Sequence, residues 1–265
     1  MSVIKSKRTL SPIEYTYHFT RTYEYMRERL SRISKRKRRW LSDPIIIIMN
    51  TIYDNILQMN NSNFKYGIKE RSVQDQSTQV IEEILSLQKP LIAWWNVDNY
   101  PEKKMEYMSI LLNREIELLE GHGGLPKNDC NRIFFFKWNK INKVEFLKNM
   151  AELHRFIYTK TIQLPATIRE TNGNMMMDLA DTALFLLLDA NRKYPTNKEI
   201  CKERIKEFSV ALQCIKEMQM PIISLFIEAR YSERVMVEWS TLLNNEIKLL
   251  TGLLKSETEK LSTFE

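Results

Sequence analysis

The sequence repeats itself at a constant offset of 131 residues. Residues 100–121, YPEKKMEYMSILLNREIELLEG, align without a gap on residues 231–252, YSERVMVEWSTLLNNEIKLLTG, and twelve of the twenty-two positions are identical. Outside this segment the same offset pairs Ile84 with Ile215, Gln88 with Gln219 and Pro90 with Pro221. The repeat predicts that one structural unit occurs twice in the chain.

Each copy is predicted to be a bundle of four helices. The 265 residues include 6 glycines and 8 prolines, too few for the many turns of a β-sandwich or barrel. Apolar side chains recur at steps of three and four residues, which is the spacing of an amphipathic helix. We therefore predict an all-α fold of two tandem four-helix bundles, each with up-down-up-down topology.

In the first half, a capping box at residues 11–14, SPIE, predicts the start of a helix that runs to about Trp40. Asp43 begins a second helix, which the polar residues 60–63 are predicted to end. The isoleucines at 45–48 are also compatible with a buried strand, but no partner strand pattern lies nearby. A third helix passes through Leu87, and a fourth runs from Pro101 to Gly121.

Glycines cluster between the two halves, in the sequence GHGGLPKND at residues 121–129. The predicted domains are residues 1–121, a linker over 122–141, and residues 142–265. Helices of the second half are predicted over 142–163, 167–193, 196–228 and 231–255, with Thr196 and Glu199 as a second capping box.

Pro90 and Pro221 each fall inside a helical pattern. A proline in a helix interior removes one backbone hydrogen bond and kinks the helix. Either both third helices bend at a matched proline, or each ends there and resumes. The sequence leaves both readings open.

The sequence carries no strong motif for catalysis. No glycine-rich phosphate loop is present, the three histidines are scattered, and the three cysteines form no CxxC pair. We predict a protein that is not an enzyme and holds no cofactor or metal. The alternative is a metal-dependent helical nucleotide hydrolase, which needs acids converging from several helices. Its candidate ligands are Glu82, Glu83, Glu117, Glu120, Glu203 and Glu207.

The first residues are not followed by a secretory apolar region, and the longest apolar runs are too short to span a bilayer. The sequence therefore predicts a cytoplasmic protein that does not enter a membrane.

Positive charge is concentrated near the start of the chain. Residues 1–45 contain twelve lysines or arginines against four acids, whereas the other residues together are close to neutral. Seven of these cations form what we call the basic cluster: Arg29, Arg32, Lys35, Arg36, Lys37, Arg38 and Arg39. Like charges this close destabilise a helix unless a polyanion offsets them, so the cluster predicts a site for the phosphate backbone of RNA or DNA.

Trp40 follows the cluster and is predicted to stack on an unpaired base. We expect the apolar stripe of the first helix to stop at Ile33, so that the basic end projects beyond the bundle. Two other readings stay open: a solvated helix end that only keeps the protein soluble, and a site for an acidic protein.

The second half resembles a known family. The residues that carry the resemblance are Leu164-Pro165, a long helix with Leu179, Ala180 and 186–191, and the ending LNNEIKLLTGLLK at 243–255. They are similar to the four-helix-bundle family of the accessory variability determinant of diversity-generating retroelements and the proteins encoded in 23S rRNA intervening sequences. The resemblance covers about residues 142–256.

That resemblance implies a basic, ring-forming homo-oligomer, commonly a pentamer, that binds nucleic acid and, in the retroelements, a reverse transcriptase. It also implies basic surface positions at Lys148, Arg155, Lys160 and Arg169. Our leading hypothesis is a retroelement accessory protein that binds RNA or cDNA and a reverse transcriptase. The alternatives are a protein-interaction scaffold without nucleic-acid binding and the metal-dependent hydrolase.

Overall fold

The structure is a computed structural model that describes residues 12–66, 70–128, 132–134, 138–229 and 231–264. Every regular element in these ranges is helical, so the predicted all-α fold class is confirmed. The helices are α1 Pro12–Leu30, α2 Lys35–Leu41, α3 Asp43–Tyr66, α4 Glu70–Ser86, α5 Gln88–Asp98, α6 Glu102–Gly123, α7 Trp138–Ile141, α8 Glu145–Thr161, α9 Ala166–Ile168, α10 Asn174–Arg192, α11 Lys198–Glu217, α12 Gln219–Ala229 and α13 Glu233–Ser262. A π-helical turn, Arg169–Gly173, connects α9 to α10. Across the described ranges, no helix is both long enough and apolar enough to cross a membrane.

The chain divides into two compact units. Unit 1 comprises the described residues within Met1–Trp94 and Tyr100–Phe135, and unit 2 those within Trp95–Asn99 and Phe136–Glu265. In unit 1 the packing runs from α1 to α3, α4, α6 and back to α1, and in unit 2 from α8 to α10, α11, α13 and back to α8. Each closed circuit is the contact pattern of a four-helix bundle.

Apolar stripes of these helices form the cores of both units. The predicted stripe of α6 is completely buried, and so is the predicted stripe along α1. The buried residues from these two helices include Tyr15, Phe19, Met26, Leu30, Met105, Met108, Leu112, Ile116 and Leu119.

Helix boundaries in the two halves coincide at the 131-residue offset. Helices α5 and α12 begin and end at matched residues, and α6 and α13 begin at matched residues. The same holds for the starts of α3 and α10 and for the ends of α1 and α8. Matched boundaries are expected of two copies of one unit, and the duplication itself stays a prediction.

A polar contact recurs at matched positions of the two units. His18 Nδ1 lies 2.7 Å from Glu115 Oε2, and Asn149 Nδ2 donates to Glu246 Oε2 over 2.7 Å. Both glutamates are fully buried. Burial raises the pKa of Glu115 to about 7 and the pKa of Glu246 to about 8.

The two prolines lie where one helix ends and the next begins. Helix α4 ends at Ser86 and α5 starts two residues later, which places Pro90 at the third position of α5; Pro221 has the same position in α12. A backbone nitrogen in the first turn of a helix has no acceptor within that helix, so proline removes no bond there. Of the two readings left open by the sequence, the interrupted helix is correct.

Several predicted boundaries are wrong. The polar residues 60–63 remain helical because the Asn60 side chain is held by α1: it accepts from the Tyr15 hydroxyl and donates to Thr16 Oγ1. Helix α6 continues past Gly121 and ends before Gly124, whose φ of 62° is the left-handed conformation of a C-cap.

Two predicted helix starts in the second half are also displaced. Asn197, not Thr196, caps α11: its Oδ1 accepts from the backbone N–H of Ile200 over 2.9 Å. Helix α8 begins at Glu145 rather than at residue 142, and α7 lies within the segment predicted as a linker. In the first capping box, Ser11 lies outside the described residues, whereas Pro12 is the first residue of α1 as predicted.

Candidate nucleic-acid interface

The basic cluster lies on two short stretches of helix and the turn between them, not on one helix. Helix α1 ends at Leu30, residues 31–34 form a turn, and α2 begins at Lys35. Ile33 in the turn and Leu41 at the end of α2 are buried, and α2 packs on α3. The prediction of one helix that projects beyond the bundle is therefore wrong, because burial of these apolar residues folds the basic segment back onto unit 1.

Each predicted site residue is at or near the surface. Arg29 is half-buried at the end of α1, and Arg32 is exposed in the turn. On α2, the exposed side chains are Lys35, Arg36, Arg38 and Arg39, and the half-buried ones are Lys37 and Trp40.

The Glu28 carboxylate touches the edge of the cluster. Glu28 Oε1 lies 2.5 Å from Arg32 Nη2 and 3.4 Å from Arg29 Nη1. Exposed pairs of this kind contribute at most about 1 kcal/mol and are screened by salt. Lys35 and Arg36 form no ion pair with any described residue. The cluster therefore retains an excess of positive charge.

Arg38 has a structural role that the sequence did not reveal. Its Nη2 donates to the Ser31 carbonyl oxygen over 3.2 Å, beside the Ile33 carbonyl. Arg169, at the matched position of unit 2, donates to the Ile162 and Leu164 carbonyls over 3.3 Å. In both units this arginine holds the turn after the first long helix. We therefore assign Arg38 a structural role in the turn and do not count it among the residues that contact a ligand.

Three tyrosines of unit 1 form what we call the aromatic patch: Tyr25 and Tyr100, which lie near Arg29, and Tyr107, which contacts Tyr25. The rings of Tyr25 and Tyr107 meet edge to face with centroids 5.1 Å apart, and the Arg29 guanidinium lies 4.9 Å from the centroid of the Tyr25 ring. Tyr107 is 47% exposed. Rings beside cations in this way are what binding of unpaired bases requires.

Tyr100 connects the patch to the cluster. It interacts electrostatically with Arg29 and Arg32, and the ammonium group of Lys104 lies 6.0 Å from its ring centroid. Burial raises the pKa of Tyr100 to about 12, so the hydroxyl keeps its proton at neutral pH. This hydroxyl has no hydrogen-bond partner among the described residues.

Sequence reasoning missed the aromatic patch and Lys104. The four-residue spacing of Tyr25 and Arg29 is a local signal that could have been read. The proximity of Tyr100 and Tyr107 to α1 depends on how α6 packs on that helix, which no local pattern contains.

The basic positions implied by the family resemblance do not form a second cluster of uncommitted charge. Lys148 lines an open groove of about 490 Å³ together with Lys248 and two glutamates, Glu145 and Glu152. Arg155 donates to the Asn96 carbonyl over 3.1 Å, and Lys160 lies 5.2 Å from the centroid of the Phe156 ring. Arg169 holds the turn described above.

The glutamates considered for a metal site do not come together as a group of metal ligands, and some of them form ion pairs with arginines. Glu117 pairs with Arg114 at 3.0 Å, and Glu120 pairs with Arg132 at 2.8 Å. Within the described part of the chain, no three His, Cys, Asp or Glu side chains come together as metal ligands would.

No protein-family model, no curated protein and no solved structure matches this chain.

Proposed function

We propose that this protein is a non-enzymatic accessory protein that binds single-stranded RNA or cDNA through the basic cluster and the aromatic patch. The observation that carries the proposal is the Arg29 guanidinium beside the Tyr25 ring, which in turn meets the exposed ring of Tyr107. Next to these rings lie exposed cations that include Lys35 and Arg36, which form no ion pair with a described residue. Phosphates would meet the cations, and bases would meet the rings.

The folded position of the cluster supports a surface site. A basic helix that projected from the bundle could contact RNA or DNA on any side. Because α2 packs on α3, only its solvent-exposed face is open to a nucleic acid. Lys35, Arg36 and Arg39 on this face and Arg32 in the turn are the positions we assign to phosphates. Arg39 also lies 5.2 Å from the centroid of the Trp40 ring, so a base that stacks on Trp40 does so beside a cation.

The test is the salt dependence of binding to a labelled single-stranded RNA. Replacing Arg32, Lys35, Arg36 and Arg39 with glutamine removes four phosphate contacts, so the slope of log K against log salt should fall by about 3, at 0.7 per contact. Arg38 is left in place because it holds the turn.

A matched control carries the same change in charge on unit 2. Lys202, Lys206, Lys216 and Lys255 are exposed, and glutamine at these four positions should leave the slope within error of the wild type. Equal slopes for all three proteins would remove the basic cluster as the site. A wild type that does not bind the RNA even at low salt would favour the protein-interaction scaffold instead.

Association with a reverse transcriptase is the second part of the proposal. The family resemblance of residues 142–256 supports it, and the basic cluster adds a means of holding the template or product strand. The direct check is the genome: a reverse-transcriptase reading frame and a template repeat should adjoin the gene. Their absence would remove the retroelement role and leave nucleic-acid binding to be judged by the salt experiment.

A further inference from the structure

In unit 1, two side-chain amides hold the backbone of residues 132–134, which we call the strap. Asn113 on α6 donates to the Ile133 carbonyl over 2.9 Å and accepts from the Ile133 N–H over 2.7 Å. Gln88, the first residue of α5, forms the same two bonds with Phe134, over 2.6 Å and 2.7 Å. Four hydrogen bonds therefore bind two consecutive residues of the strap through their main chain.

Each amide pairs with the strap as one β-strand pairs with the next. The N–H and C=O of one residue both reach a single partner, as in a hydrogen-bonded pair of antiparallel strands. Consecutive residues of an extended chain turn these groups to opposite edges, so Asn113 and Gln88 hold the two edges of the strap. Side chains add to this grip: Ile133 is 3% exposed, and Arg132 pairs with Glu120 at 2.8 Å.

Both amides recur in unit 2, where their side chains bond to no described residue. At the 131-residue offset, Asn113 corresponds to Asn244 and Gln88 to Gln219. Asn244 and Gln219 are exposed, whereas Gln88 is 4% exposed. Neither forms a side-chain hydrogen bond within the described ranges. The residues that hold the strap in unit 1 are thus unoccupied in unit 2.

The helices that carry these amides are arranged alike in the two units. Helix α4 packs on α6, and α11 packs on α13. At the start of α5 the Leu91 N–H donates to the Leu87 carbonyl over 3.0 Å, and at the start of α12 the matched Ile222 N–H donates to the Met218 carbonyl over 3.2 Å. The scaffold that positions the two amides is therefore the same in both units.

Unit 2 also offers apolar surface beside its two amides. Ile223 lies one turn after the first amide and is 53% exposed, and Ile247 lies one turn after the second and is half-buried. They can cover an aliphatic side chain, as unit 1 covers Ile133. Thr251 stands at the position of Glu120, so this groove lacks the carboxylate that binds an arginine in unit 1.

We propose that unit 2 binds an extended segment of a partner protein between Gln219 and Asn244. The segment has an aliphatic residue at Asn244 and an aromatic residue next to it at Gln219, as the strap has in unit 1. Main-chain hydrogen bonds give the affinity, and the buried aliphatic side chain gives the sequence preference. Residues 1–11, the longest stretch outside the described ranges, contain no aliphatic residue followed by an aromatic one, so we assign the segment to a partner. The proposal does not depend on nucleic-acid binding.

Fluorescence anisotropy of a labelled peptide with the sequence of residues 131–137, NRIFFFK, tests the proposal on the full chain. The wild type should bind it with a dissociation constant of about 100 µM or lower. Gln219→Ala with Asn244→Ala should weaken binding at least about 10-fold, because four backbone hydrogen bonds are lost. Gln213→Ala with Asn245→Ala changes two other exposed amides on α11 and α13, and this control should bind like the wild type.

Two altered peptides distinguish backbone recognition from general apolar binding. Methyl groups on the backbone nitrogens of the isoleucine and the first phenylalanine remove both donors, and should weaken binding at least about 10-fold. Glutamine in place of the arginine should leave binding unchanged, since Thr251 offers no carboxylate.

A wild type that does not bind the peptide would overturn the proposal. So would equal binding by the Gln219 and Asn244 double variant, equal binding of the methylated peptide, or a requirement for the arginine. If the peptide instead dissociated an assembly of the chain with itself, the occupant would be a second copy, and the assignment to a partner protein would be wrong.

Discussion

Replacing Glu246 with glutamine should stabilise the protein increasingly as the pH rises. The carboxyl is fully buried, its Oε1 has no hydrogen-bond partner among the described residues, and burial raises its pKa from 4.5 to about 8. The folded protein therefore holds a proton that the unfolded chain releases. The contribution of this group to the free energy of unfolding is complete below about pH 4.5 and is lost as the pH rises towards 8.

The size of the effect follows from the two pKa values. Between about pH 5.5 and pH 8.5, this group lowers the free energy of unfolding of the wild type by about 3 kcal/mol. Glutamine has nearly the same shape, can accept from Asn149, and does not titrate. The free energy of unfolding of Glu246→Gln, relative to that of the wild type, should therefore be about 3 kcal/mol larger at the higher pH.

Urea unfolding of both proteins at the two pH values measures this difference directly. Glu238→Gln, at an exposed glutamate on the same helix, is the control and should show no such dependence. If the difference between Glu246→Gln and the wild type were the same at both pH values, the carboxylate would not be buried as described.

Five further substitutions test the local structure by urea unfolding. Arg169→Ala should destabilise the protein by about 1–2 kcal/mol, because two carbonyls of the turn lose their donor. Gly252→Ala should stabilise it by nearly 1 kcal/mol, since a Cβ there meets open space within α13, whereas Gly124→Ala should cost about 1 kcal/mol at its φ of 62°. Pro90→Ala and Pro221→Ala should each change stability by less than about 1 kcal/mol, because neither nitrogen could donate within its helix.

The sequence predicts the helices better than it predicts where they end. Periodicity and the 131-residue offset indicate the helical class and most of the buried stripes. The break after Leu30 is different, since no glycine or proline marks it. It depends on the burial of Ile33 and Leu41 and on the Arg38 side chain that holds the turn, and these are tertiary effects.

The sequence also does not predict which polar residues are buried. Glu115 and Glu246 are identical in the two copies of the repeat, but on a helix with many glutamates nothing local separates them from solvated neighbours. Only packing places each one opposite a polar side chain of the first long helix. The cations of the cluster could be found by counting charges, whereas the aromatic patch required the folded chain.

Hydrogen–deuterium exchange with and without a single-stranded RNA tests most directly that the basic cluster is the surface that meets a polyanion. Binding there should slow exchange in residues 25–41 and at the start of α6, where the aromatic patch lies, and should leave α11 unchanged. Slowing confined to unit 2, or none anywhere at saturating RNA, would contradict the assignment of this surface.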